Sequence, residues 1–159
     1  KLDVKNPQEV GADRIANAVA ATDAYPNKSI IIMDFGTATT FCAISKNKAF
    51  MGGAILPGIK LSMQALANNT SKLAAVDIVR CENALGKTTE TNIQAGLYLG
   101  QLGAAKEIIN RLKATTFKDE EVVVIATGGY AHLFKKEKLF DANHPDLILQ
   151  GLRLILEKI

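Results

Sequence analysis

Residues Ile30 to Phe41 read IIIMDFGTATTF, an apolar run that ends in Asp34 and is followed by Gly36 and by Thr37, Thr39 and Thr40. A strand that stops at Asp34 and turns at Gly36 exposes one carboxylate together with hydroxyl and backbone N–H donors at a single strand end. Such a set of groups can hold a phosphate and a cation, because glycine lets an anion approach the backbone closely and threonine hydroxyls donate without adding charge. The same residues also read as a half-buried β-hairpin whose threonines serve strand propensity. A second candidate precedes this one. In Gly11-Ala12-Asp13-Arg14 an acid and an arginine stand side by side at a helix start. There the arginine can bind an anionic group bidentately, and the carboxylate can take the proton of a donor hydroxyl. The competing assignment makes Asp13 the helix N-cap and Arg14 a solvent-facing helix residue.

The elements that must position these groups follow from periodicity. GADRIANAVAATDAY carries Ile15, Val19 and alanines at helical spacing before Pro26, which predicts a helix starting near Asp13. Ser29 to Phe35 and Thr37 to Ser45 read as two strands joined by a tight turn, and Ala49 to Met51 as a short third strand running into Gly52 and Gly53. Pro57 and Gly58 open a helix over IKLSMQALANN, since proline in a first turn loses no useful hydrogen bond. A looser stretch runs from Thr70 to Gly86. Ile93, Leu97, Gly100, Ala104, Ile108 and Leu112 then predict one long amphipathic helix from Thr88 to about Ala114, with small residues on one face. EVVVIA at 121 to 126 is a strand of the kind buried on both faces, ending in Thr127, Gly128 and Gly129. A helix from Tyr130 and a last one from Pro145 complete an α/β domain with no internal repeat and no linker.

Composition narrows the function classes. At 159 residues the chain is one domain by length, with a formal net charge of +3 and scattered lysines. Its single basic cluster, Lys135 to Lys138, reads as a solvated helix end, so no nucleic-acid partner is expected. Cys42 and Cys81 stand far apart without zinc spacing, which favours reduced thiols in the cytoplasm. No stretch has the apolar length of a membrane span, and the polar start KLDVKNPQEV is unlike a signal peptide.

Three short matches fail on context. Asp34-Phe35-Gly36 lacks the catalytic and glycine-rich loops of a protein kinase. Gly86-Lys87-Thr88 resembles the end of a phosphate-binding P-loop, yet its earlier glycine would fall on Cys81. His132 and His144 have no carboxylate or nucleophile at a telling spacing and read as surface or helix-terminal residues.

The ordered set GADR, DFGTATTF, GGAILPG, GKTTETNIQAG and ATGG resembles the type III pantothenate kinases of the actin and sugar kinase superfamily. The resemblance runs from about Val10 to the closing HPDLILQGLRLI. It implies a ribonuclease H-like α/β domain, with three antiparallel strands plus further strand(s) flanked by helices. The activity it implies is ATP-dependent phosphorylation of pantothenate to 4'-phosphopantothenate, the first step of coenzyme A biosynthesis. By the same resemblance Gly11, Ala12, Asp13 and Arg14 line the pantothenate site, with Asp13 as general base and Arg14 on the substrate's polar end. Asp34 holds a monovalent cation, K+ or NH4+. Gly36 and Thr37 meet the phosphates of ATP, which arrives with Mg2+, and Thr127, Gly128 and Gly129 lie beside the nucleotide. Thr89 reaches pantothenate bound to the partner subunit of a homodimer.

Two departures accompany the resemblance. The family's threonine motif ends in Asp where this chain has Cys42, and the family's acidic N-terminal phosphate loop is not found in the sequence. Residues 1–159 are therefore expected to be the C-terminal half of a two-domain kinase, inactive alone because half of the ATP site lies elsewhere. Other readings are a superfamily kinase acting on a different small hydroxyl substrate and a catalytically degenerate regulatory or scaffold protein, since family members have been labelled transcriptional activators.

Overall fold

The structure, a computed structural model, describes residues 1–158. Helix α1 (Ala12–Ala24) leads into β1 (Ser29–Phe35), β2 (Ala38–Ile44) and β3 (Phe50–Pro57), followed by α2 (Ile59–Asn69) and the long α3 (Thr89–Leu112). Strand β4 (Val122–Thr127), the two-residue β5 (Ala142–Asn143) and α4 (Leu147–Leu156) finish the chain. The five strands form one mixed sheet in the order β3-β2-β1-β4-β5. As expected, β1, β2 and β3 are consecutive antiparallel neighbours, and β4 lies parallel to β1 with Asp34 opposite Thr127.

The alternation of β1 divides the core into two layers. Ile30 and Ile32 point into a cluster with Cys42, Phe50, Ile125 and the α1 alanines Ala20 and Ala21. Ile31, Met33 and Phe35 point the other way, onto Ile93, Leu97, Tyr98 and Leu102 of α3. A period of two along the strand sets this division, and it places Asp34 on the α1 side. Close approach of α4 to α1 depends on Gly151, where any Cβ would run into the Ala16 backbone.

The structure corrects three expectations and adds one short strand. The third strand does not stop at Met51 but continues through both glycines to Pro57, because Ala54 and Leu56 alternate inward against the core while Gly53 and Ile55 face out. The segment after Tyr130 is a single 3-10 stretch, Ala131–Glu137, closed by a left-handed Lys138. Strand β5 is one of the further strand(s) expected, at a place no sequence pattern located. The last helix begins at Leu147, two residues after Pro145, and Ile159, included in the expected helix, lies outside the described residues.

The 3-10 stretch is held behind the β4 turn by an aromatic stack. Phe134 lies between Phe35 and Tyr98, with ring centroids 4.7 and 5.1 Å apart. The Tyr98 hydroxyl donates to Glu137 at 2.7 Å, and Arg80 closes the group with a 3.1 Å contact to the same carboxylate oxygen. Burial and the adjacent Glu137 push the Tyr98 phenol up to about 12, so it remains a donor at any physiological pH. Tyr98→Phe is expected to lower stability by about 1.5 kcal/mol, the scale of a hydrogen bond to a charged group, read as a fall in urea midpoint at constant m-value.

Candidate functional site at the carboxyl ends of β1 and β4

Strands β1 and β4 run parallel, so their carboxyl ends and the turns Gly36-Thr37 and Gly128-Gly129 emerge side by side. In open α/β sheets this is the end at which ligands bind. Asp34 sits between the two turns. A Cβ added at Gly128 would stand 2.5 Å from Asp34 Oδ1, and one at Gly36 3.4 Å from the same oxygen. The other oxygen, Oδ2, accepts a 3.1 Å hydrogen bond from Nδ2 of Asn17 on α1.

The carboxylate is half-buried, and that burial raises its pKa. The Asn17 hydrogen bond works against the rise, and the neighbouring charge of Asp13 adds to it. A positive charge beside the half-buried Asp34 carboxylate would offset the cost of keeping it ionised. The residues present fit a singly charged cation: one cradled carboxylate, an amide oxygen of Asn17 that is buried without a partner, and two glycine turns that leave room. Among the described residues no group of three or more His, Cys, Asp or Glu forms a metal cage.

Helix α1 starts at Ala12 with Gly11 as its N-cap and no side-chain cap bond, so Asp13 does not cap the helix. Its side chain is exposed and has no hydrogen-bond or ion-pair partner among the described residues. Asn17 follows at i+4, on the same face, and both residues look towards Asp34. Arg14 is not solvent-facing. Its Nε donates to Cys42 Sγ at 3.2 Å and its guanidinium lies 5.2 Å from the Phe50 ring centre, beside a cavity of about 370 Å3 lined by Lys5, Glu9 and Val10. Cys42, whose thiol burial pushes up, is therefore the acceptor that orients Arg14.

The threonines part company. Thr37 is exposed at the turn, and its carbonyl accepts from Gly58 N at 3.0 Å, which locks the turn against the start of α2. Thr39 points into the other layer and donates to Gln101 at 3.1 Å, a structural role in place of the expected donor at the site. Thr40 lies opposite Asp34 in the β1–β2 ladder. Thr127 is buried on the Asp34 side, and Gly128 adopts φ +90. A second cavity of about 230 Å3 opens beside Gly36 and Thr37, lined by Lys60, Leu61, Gln64 and Tyr130.

Within one chain Thr89 is not brought to this site. It begins α3 on the opposite face of the sheet and lines a separate groove of about 670 Å3 with Leu66, Leu73 and Gly96. Asn17, Lys60, Gln64 and Tyr130 were not foreseen from sequence. Of these only Asn17 carried a signal, its i+4 spacing from Asp13.

These features define an α/β domain with a carboxylate and two glycine turns gathered at the carboxyl ends of adjacent parallel strands. A family model for type III pantothenate kinase matches residues 1–111. A protein of Francisella tularensis subsp. holarctica named type III pantothenate kinase 1 is 59% identical over 98% of this chain and 60% of its own length. A type III pantothenate kinase of Legionella pneumophila is 56% identical over 94% of this chain and 59% of its own length. The chain belongs to the type III pantothenate kinase family. It spans about three fifths of the length of these curated relatives. In fold it is similar to a crystal structure from Campylobacter jejuni described as a conserved Baf family transcriptional activator, with a TM-score of 0.64 and 23% identity, covering 99% of this chain and 68% of that one.

Proposed function

We propose that this chain is the part of an ATP-dependent pantothenate kinase that carries the acceptor-activating carboxylate and half of the nucleotide site, within a fold of the actin and sugar kinase type. The product would be 4'-phosphopantothenate, on the route to coenzyme A. The observation that carries the reading is the meeting of Asp13, Asn17 and Asp34 beside two glycine turns, in a chain of this family.

In this reading Asp13, free of any cap or ion pair, takes the proton of the attacking hydroxyl, and Gly11 leaves its carboxylate room to approach. Arg14, turned by Cys42 towards the cavity near Val10, receives the polar end of the substrate. Gly36, Thr37 and the Thr127 to Gly129 turn face the nucleotide. Phosphoryl transfer asks for positioning and charge compensation more than covalent work. A K+ or NH4+ ion at Asp34, with Mg2+ carried by ATP, would supply positive charge against the triphosphate. The whole protein would work as a cytoplasmic homodimer, with Thr89 reaching the substrate of the other subunit. The open side of α3, where a Cβ added at Gly96, Gly100 or Gly103 would meet nothing within 4 Å, supports that pairing.

An assay of ATP and pantothenate turnover on the full-length chain tests this, with K+ replaced by choline at constant ionic strength. Turnover that falls at least tenfold without K+ or NH4+ is expected, because Asp34 would lose the ion that offsets charge beside the triphosphate. Full-length protein that turns over no pantothenate at any cation concentration would sink the reading.

A further inference from the structure

Asn17 is almost fully buried, at 2% exposure, and its amide makes one hydrogen bond, from Nδ2 to Asp34 Oδ2. Its oxygen meets no donor. A buried amide that is satisfied on one side only is costly to keep for packing alone, since a leucine of similar volume would leave no orphaned oxygen. Its single contact therefore identifies its use. The bond holds one carboxylate oxygen of Asp34 and thereby fixes the other, Oδ1, against the Gly128 and Gly36 turns, where a Cβ at either glycine would come within 2.5 and 3.4 Å of it. Without the amide the carboxylate could rotate, and its two oxygens would no longer face different neighbours.

We infer that Asn17 is the positioning residue of the cation site: it sets which oxygen of Asp34 faces the strand-end turns and so determines how tightly the site takes a monovalent cation. The contact spans 17 residues and joins α1 to β1, so the same bond also fixes the helix that carries Asp13 relative to the strand end. Positioning of the general base and of the cation ligand are thus linked through one side chain. This rests on the cation reading given under the proposed function, and it extends that reading to a residue four positions beyond Asp13.

The test is a K+ titration of thermal unfolding on the full-length chain, in choline chloride at constant ionic strength, for the wild type, Asn17→Ala and Asn17→Leu. The leucine variant keeps the volume and decides the matter should the alanine variant fail to fold. The K+ concentration giving half of the stabilisation is expected to rise roughly tenfold in both variants, the loss of one charge-assisted hydrogen bond. Raising K+ further should restore turnover to within a few fold of wild type, which a general loss of structure would not allow. A wild type stabilised by K+, beside folded variants with the same half-effect concentration, overturns the inference and leaves the cation reading standing. A wild type indifferent to K+ overturns the cation reading itself, and the role of Asn17 with it.

Discussion

Asp13→Asn in the full-length chain is expected to lower turnover by roughly a hundred- to ten-thousand-fold, the usual range for a general base, and to leave the folded structure intact. The second half of that expectation comes from the helix start. Gly11, not Asp13, is the N-cap of α1, and no side chain caps the helix, so an amide at position 13 removes no bond on which the helix depends. An exposed acid without hydrogen-bond or ion-pair partners is also unlike an acid placed for stability. The substitution keeps the size of the side chain and removes its ability to accept a proton. Turnover and unfolding should separate: kcat falls steeply with KM for ATP close to wild type, while the melting temperature stays within a degree or two. Near wild-type kcat in the variant would exclude Asp13 as the base. A melting temperature lowered by many degrees would show instead that Asp13 holds the start of α1.

Much of this site was legible in the sequence because its main determinants are local. An apolar run ended by an acid and a glycine locates both the strand and the end at which the candidate site lies, and Asp34 stands there in the structure. The hairpin reading of the same segment holds, since β1 and β2 are antiparallel partners. The two readings are compatible because a hairpin strand can end beside a parallel neighbour. Longer-range features were hidden. Nothing in DFGTATTF tells Thr39 from Thr37, because the difference is that Thr37 stays in the exposed turn while Thr39 enters β2 opposite Gln101 of α3. Arg14 looked free until the fold placed Cys42 beside it, 28 positions away. Strand β5 is two residues long and exists through pairing with β4, so no pattern in its own residues could announce it. Asn17 shows in sequence only its i+4 spacing from Asp13, and its partner Asp34 emerges once the strand beneath it is known.

The Gly128→Ala variant should be less stable than wild type by about 2–4 kcal/mol and should lose cation dependence, whereas Gly129→Ala one residue later should change stability by less than about 0.5 kcal/mol. Gly128 has φ +90, a conformation that costs a residue with a side chain of the order of 1–3 kcal/mol. Space is also lacking there. A Cβ at Gly128 would stand 2.6 Å from the Phe35 backbone and 2.5 Å from Asp34 Oδ1, and backbone held in a sheet cannot withdraw as the end of a flexible side chain can. At Gly129 a Cβ meets nothing within 4 Å and φ is not positive. The pair therefore separates the demand for glycine at the β4 turn from a general sensitivity of the turn. The effect on the site follows from the same contact, because the added carbon would push the carboxylate that Asn17 holds from the other side. Urea unfolding of both variants measures the first effect, and the K+ titration of thermal unfolding measures the second. Equal midpoints for the two variants would mean that the turn relaxes by peptide rotation and that Asp34 is not confined by it.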